Sequence, residues 1–260
     1  MPYYRHMDTR SKSTSLKERL TREAVYGTIV SLPSPEIAEA MALAGFDWLF
    51  IDLEHGAMSV LECQRMIQAT GGRADCLVRV PELTESAVKK VLDTGAGGII
   101  VPKVNTAEEA ELAVAYSKYP PEGQRGVGAT RAHGYGIHFS DYVERANRDL
   151  MVVLQIEHIE GVEHIESIAS TPGLDVIFIG PYDLSASMGL MGQVDHPKVL
   201  EAIARVEEVC KQKGIHMGYF GMTADSVRPY IDKGYRLITC GTDTGFLVAG
   251  AAEVLGGLRP

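Results

Sequence analysis

Apolar and polar positions along the chain alternate between two rhythms. Short runs of β-branched and apolar residues, bounded by Gly, Pro or Asp, have the character of strands buried on both faces. Between them lie longer stretches in which apolar residues recur at helical spacing, with Ser, Thr or Asn at their starts and Gly at several of their ends. The pattern predicts strands over Gly27–Leu32, Trp48–Leu53, Cys76–Val80, Gly98–Pro102, Met151–Ile156, Val176–Ile179, His216–Phe220 and Arg236–Cys240. It predicts helices starting at Ser34-Pro35-Glu36 and over Val60–Thr70, Glu85–Thr94, Ala107–Ser117, Asp141–Asn147, Gly161–Ser170, Lys198–Lys213 and Asp225–Lys233. A short first helix to about Arg22 follows a capping box formed by Ser15 and Glu18.

Alternation of this kind implies a parallel sheet, and about eight strand–helix units in this length fit an α/β fold of the closed (β/α)8 TIM-barrel type. A doubly wound sheet is the rival, but no glycine fingerprint follows the first strand. The stretch Gly126-Val127-Gly128-Ala129-Thr130-Arg131, inside a Gly-rich excursion over Glu122–Gly136, lacks the third glycine. The last helix, Thr244–Leu258, is apolar almost all round, with Glu253 as its one charge. A helix of that kind needs burial on every side, so it is expected to pack against, or be exchanged with, a neighbouring subunit.

Composition narrows the class. The chain has 260 residues, 45% of them hydrophobic, and a formal charge of −9. Residues 1–14 are polar, mildly basic and without periodicity, and are read as a flexible tail; residues 15–260 are read as one barrel domain. No Lys/Arg cluster lies beyond that tail, which argues against nucleic acid or an anionic membrane as partner. The cysteines Cys63, Cys76, Cys210 and Cys240 are scattered, which suits reduced thiols. With no signal-like start and no spanning apolar run, a cytoplasmic protein is expected.

Polar residues gather where the predicted strands end. Gln155 and Glu157 close one strand, and Gly180-Pro181-Tyr182-Asp183 follows the next. Two carboxylates at neighbouring strand ends would repel unless a cation lay between them, and oxygen-only donors favour Mg²⁺ or Mn²⁺ over Zn²⁺. The alternative is that Glu157 caps a helix and Asp183 a turn. Asp52 and His55 lie three apart after the second strand, the arrangement of a carboxylate that orients a general base. Arg79 ends the third strand and either clamps a substrate carboxylate or pairs with Glu54 or Glu82. Glu54 and His158 are read as pointing to the alternate side. Lys103, beyond the fourth strand, is either a Schiff-base lysine or a surface lysine.

These pieces resemble the HpcH/HpaI aldolase family. The similarity rests on Gly45–His55, Val78-Arg79-Val80-Pro81, Tyr119–Gly128, Leu154-Gln155-Ile156-Glu157 and Phe178–Ser185, in family order. It implies a barrel, a hexamer built as a trimer of dimers, and a class II aldolase that cleaves a 4-hydroxy-2-oxo acid to pyruvate and an aldehyde. It further implies Mg²⁺, Mn²⁺ or Co²⁺ on Glu157 and Asp183. Arg79 would hold the substrate carboxylate, Gln155, Pro181 and Asp183 would line the substrate site, and His55 with Asp52 would handle the proton. Leu53, Gly56-Ala57-Met58, His158 and Tyr182 depart from the dicarboxylate-cleaving branch, which leaves the aldehyde open. Oxaloacetate decarboxylation, thioester cleavage as in citrate lyase, and non-catalytic 2-oxo acid binding are the other readings.

Overall fold

The computed structural model describes residues 15–259. The tail read at residues 1–14 lies outside the described residues. Eight parallel strands close into a barrel in sequence order: β1 (Val25–Val30), β2 (Trp48–Asp52), β3 (Asp75–Arg79), β4 (Gly98–Val101), β5 (Met151–Ile156), β6 (Val176–Ile179), β7 (His216–Gly221) and β8 (Leu237–Thr242), with β8 pairing back to β1. This is the (β/α)8 barrel expected from the alternation.

Helices join the strands: α1 (Leu16–Leu20) precedes β1, and α2 (Pro35–Ala44), α3 (Val60–Thr70), α4 (Glu85–Asp93) and α5 (Ala107–Ser117) follow β1 to β4. Beyond an irregular helical stretch, Arg131–Gly136, come α6 (Phe139–Asp149), α7 (Ile159–Glu163), α8 (Ile165–Ile168), α9 (Pro181–Ser187), α10 (Pro197–Lys213), α11 (Ala224–Asp232) and α12 (Asp243–Leu258). The starts obey side-chain capping: Ser15 and Glu18 form the expected box, Ser34 caps α2 with Pro35 in its first turn, and Thr106 caps α5 with Glu109.

Two departures from the sequence pattern bear on the site. The helix expected over Gly161–Ser170 is two short helices that meet at His164, which lies outside the regular helical region at φ −95°, ψ 9°. The stretch after β6, read as a strand end followed by a turn, is α9, with Pro181 in its first turn. Proline's fixed φ and missing N–H suit that position, so Asp183 sits in a helical first turn rather than on a strand.

Two apolar clusters hold the barrel. One fills the space between sheet and helices, and takes from the strands Leu49, Ile51, Ile99, Val101, Val152, Leu154, Ile177 and Ile179. The other fills the interior: Trp48, Phe50, Leu77, Ile100, Met151, Val153, Val176, Phe178 and Leu237, with Leu16 and Leu20 of α1 joining them beside Val25 at the strand starts. The interior is thus packed solid below its C-terminal mouth. Trp48 lies opposite Gly27 in the β1–β2 register, and a β-carbon on Gly27 would come within 2.5 Å of its ring. α12 is capped by Thr242 and carries Leu247, Val248, Val254 and Leu258 on its exposed surface. Among the described residues no helix is long and apolar enough to cross a membrane.

The tight seat of Trp48 gives a test of this packing. Gly27→Ala is expected to lower the stability of the barrel by about 1–3 kcal/mol through overpacking. Urea unfolding followed by the fluorescence of Trp48, the chain's one tryptophan, reads this directly. An unchanged midpoint would contradict the packing described.

Candidate active site

Strand register brings the polar residues together at the C-terminal mouth. Asp52, the last residue of β2, pairs directly with Arg79, the last of β3. Their side chains form a two-pronged ion pair, Arg79 Nε and Nη2 donating to Asp52 Oδ1 and Oδ2 at 2.9 and 2.6 Å. Both residues are buried. Burial alone would raise the Asp52 carboxyl. The hydrogen bonds and charge of Arg79, with N–H groups from His55 and Glu54, outweigh burial and hold it below the usual range.

Arg79 extends the contact to β5. Its Nη1 donates to Gln155 Oε1 at 3.4 Å, and Gln155 Nε2 donates to Glu157 Oε2 at 2.9 Å. A line of side chains therefore runs Asp52–Arg79–Gln155–Glu157 across three strand ends. Gln155 and Glu157 share a direction, as expected from strand alternation.

Glu157 is 3% exposed and held from both sides. From β4, Lys103 adopts φ 53° and donates its backbone N–H to Glu157 Oε1 at 2.9 Å. A left-handed backbone is costly for a lysine, and here it aims a donor at the carboxylate. From β6, Gly180 lies one step beyond the paired residues Ile156 and Ile179, and a β-carbon on it would collide with Glu157 Oε2. Burial, then the charge of Asp183, push the Glu157 carboxyl up to about 7.

A cavity of about 180 Å³ opens at this mouth, lined by Ile29, Phe50, His55, Arg79, Gln155, Glu157, Phe178, Gly180, Pro181, Tyr182, Asp183 and Phe220. Asp52, wholly engaged beneath Arg79, is not part of the lining. The other expected site residues all are.

The expected link from Asp52 to the His55 imidazole takes a different form. Asp52 gives its carboxylate to Arg79 and, through Oδ1, accepts the backbone N–H groups of Glu54 and His55 at 3.0 and 3.2 Å. It therefore positions His55 through the backbone. The carboxylate near the ring is Glu54, with Oε2 3.8 Å from His55 Nε2 and 3.2 Å from Arg79 Nη1. Strand alternation predicts Glu54 on the alternate side, but the strand ends at Asp52 and the turn cancels the alternation. Its Oε2 is buried with no hydrogen-bond partner among the described residues. His158 instead caps α7 through Nδ1. The Lys103 side chain is 63% exposed, 3.8 Å from Glu54, and lacks the desolvation that a Schiff-base amine needs. The expected alternative of an ion pair between Arg79 and Glu54 is present; the place of Glu54 beside the His55 ring, Gly180 and the Lys103 N–H are not read from the sequence, and of these only Gly180, between a buried strand and a proline, leaves a signal.

The donor set fits a hard divalent cation. Among the described residues no group of three His, Cys, Asp or Glu forms a complete metal cage, and Asp183 makes no ion pair there. Two carboxylates with room for water and substrate oxygens are nevertheless a donor set that suits Mg²⁺ or Mn²⁺. Glu157, raised first by burial and then by the charge of Asp183, which the Arg79 guanidinium offsets only in part, is a buried carboxylate short of positive charge. Glu157→Gln is therefore expected to stabilise the protein in EDTA. The penalty of ionising buried Glu157 builds as pH rises from 4.5 to about 7 and is complete above that, on the order of 3 kcal/mol. Melting at pH 5 and pH 8 checks the sign: the gain should be larger at pH 8, and a loss at pH 8 would refute the charge imbalance.

Residues 26–249 match the family model described as HpcH/HpaI aldolase/citrate lyase. The chain is 39% identical over 253 residues to the hydroxypyruvate/pyruvate aldolase of Paraburkholderia phytofirmans, covering 94% of this chain and 97% of that one. It is 36% identical over 226 residues to the 5-keto-4-deoxy-D-glucarate aldolase of Escherichia coli K12, covering 86% and 88%. Among solved structures, an HpcH/HpaI aldolase/citrate lyase family protein from Burkholderia cenocepacia J2315 superposes with a TM-score of 0.90 at 38% identity, covering 94% of this chain and 99% of that one.

Proposed function

The chain belongs to the HpcH/HpaI aldolase/citrate lyase family of carbon–carbon lyases, and on that premise we propose that it reversibly cleaves a 4-hydroxy-2-oxo acid to pyruvate, or a close 2-oxo acid analogue, and an aldehyde. The observation that carries this reading is the charge pattern of the cavity: Arg79 on one side, and on the other the carboxylates of Glu157 and Asp183, which Arg79 compensates only in part. An α-oxo carboxylate with a divalent cation complements both sides.

Glu157 and Asp183 would hold Mg²⁺, Mn²⁺ or Co²⁺, and Gly180 leaves the Glu157 carboxylate the space to reach it. Such a cation, when bound, supplies Lewis-acid polarisation of the 2-oxo group. Arg79 holds the substrate carboxylate: of its five N–H donors, two serve Asp52 and one Gln155, and Nη1 also lies against Glu54, which leaves a donor on Nη2. Gln155 fixes Glu157 from beside the substrate. His55, at the lip of the cavity with its side chain 65% exposed, takes the proton of the C4 hydroxyl as the C3–C4 bond breaks, and Glu54 stabilises the resulting imidazolium. The aldehyde departs, and C3 takes a proton to give the methyl group of pyruvate. Pro181 starts α9 and so places Asp183 over the cavity.

We also read the exposed apolar surface of α12, with Phe246, Leu247, Val248 and Leu258, as a contact with further copies of this chain in a homo-oligomer, a hexamer by family resemblance. The buried thiols of Cys63 and Cys210 support a reducing cytoplasmic setting.

Pyruvate release from a panel of 4-hydroxy-2-oxo acids tests the reaction. EDTA should abolish it and Mn²⁺ or Mg²⁺ restore it, and Asp183→Ala should lower kcat/KM by roughly a hundredfold or more. Turnover that resists EDTA and is trapped by borohydride would transfer the chemistry to Lys103. Turnover of oxaloacetate alone, indifferent to His55→Ala, would indicate a decarboxylase.

A further inference from the structure

The mouth of the barrel is divided by polarity. Its charged and hydrogen-bonding cavity residues stand on the ends of β2, β3 and β5 and on α9. β7 and β1 contribute Phe220 and Ile29 instead, and Tyr182 of α9 faces Phe220 with ring centroids 6.2 Å apart. Ile29 and Phe220 rest on the interior cluster but are only partly buried, so they present apolar surface to the cavity. Below them Phe50 and Phe178 meet edge to face, with centroids 6.0 Å apart, and close the floor.

Once the 2-oxo acid head group occupies the charged side, the substrate beyond C4 extends along this apolar side. Among the described residues no Lys or Arg lines that side. The guanidinium of the lining is held by Asp52, and the Lys103 amine lies against Glu54, beyond β4 on the far side of the mouth. A carboxylate at the far end of the aldehyde would leave water for an apolar surface that offers it no counter-charge among the described residues. An alkyl or aryl group would bury apolar area against Tyr182, Phe220 and Ile29.

We infer that the carbonyl acceptor of this chain is an apolar or aromatic aldehyde rather than a carboxylate-bearing semialdehyde, and that Tyr182 and Phe220 make the selection. The inference rests on the reading of the site as a 2-oxo acid aldolase. In the condensing direction C3 of pyruvate loses a proton and bonds to the aldehyde carbon. The former aldehyde oxygen gains a proton as the C4 hydroxyl, so no further reactant is needed.

The test uses the Mn²⁺-loaded full chain with pyruvate and compares pentanal and benzaldehyde with succinic semialdehyde, whose chain length is close to that of pentanal. Exchange of the pyruvate methyl protons with D₂O is followed in parallel without any acceptor. The expected result is methyl exchange together with a kcat/KM for pentanal about tenfold or more above that for succinic semialdehyde. Tyr182→Ala and Phe220→Lys should each reduce that ratio by roughly fivefold or more. Methyl exchange with equal or better use of succinic semialdehyde, or an unchanged ratio in both variants, overturns the inference and leaves the aldolase reading standing. No exchange with any divalent metal overturns that reading, and the inference with it.

Discussion

The buried ion pair between Asp52 and Arg79 is the constraint on which the mouth of this barrel depends. A guanidinium taken out of water is costly unless its charge and N–H groups are matched, and the β2–β3 register supplies the match by placing the two residues side by side. Asp52 fixes the plane of Arg79 with two bonds and, with the same carboxylate, folds the chain after β2 so that Glu54 and His55 reach the cavity. Arg79 then orders Gln155, and Gln155 orders Glu157. Loss of either partner of such a pair strands a buried charge, at a typical cost of about 3–5 kcal/mol. Damage at Asp52 would therefore spread to a carboxylate three strands away.

Arg79, with the exposed Lys103 amine beside Glu54, faces the four carboxylates Asp52, Glu54, Glu157 and Asp183, which leaves the site negative. Glu157 carries that imbalance: it is buried and lies near an anionic neighbour, and its carboxyl is pushed up to about 7. The fold nevertheless holds it with a strained lysine backbone on one side and a glycine on the other. Strain and unmatched charge kept at one position mark a site adapted to a ligand rather than to stability. The apolar side of β7 and β1 completes the mouth, so that its polar and apolar linings are kept apart.

The fold was legible because buried parallel strands and capped helices leave period and composition signals. Ser15, Ser34 and Thr106 stand where the capping rules place them. Arg79, Gln155, Glu157 and Asp183 were legible as polar residues breaking apolar runs near strand ends. The partner of Asp52 was not, because strand pairing is set by tertiary register and not by neighbours in sequence. The pairing of Glu54 with Arg79 is legible as an alternative, but its direction is not, because strand alternation stops where β2 ends. The helix holding Asp183 was overlooked because its proline reads equally as a turn or as a first turn of helix. The φ of Lys103 left no trace in the sequence at all, since only the surrounding chain imposes it.

Binding of Mn²⁺ to the metal-stripped protein, measured by titration calorimetry across pH 6 to 8, tests the central claim most directly. If Glu157 and Asp183 form an under-compensated ligand pair, binding should tighten as pH rises through about 7 and release protons below it, and it should vanish in Asp183→Ala. Binding that is independent of pH and survives Asp183→Ala would place the metal elsewhere and contradict the account.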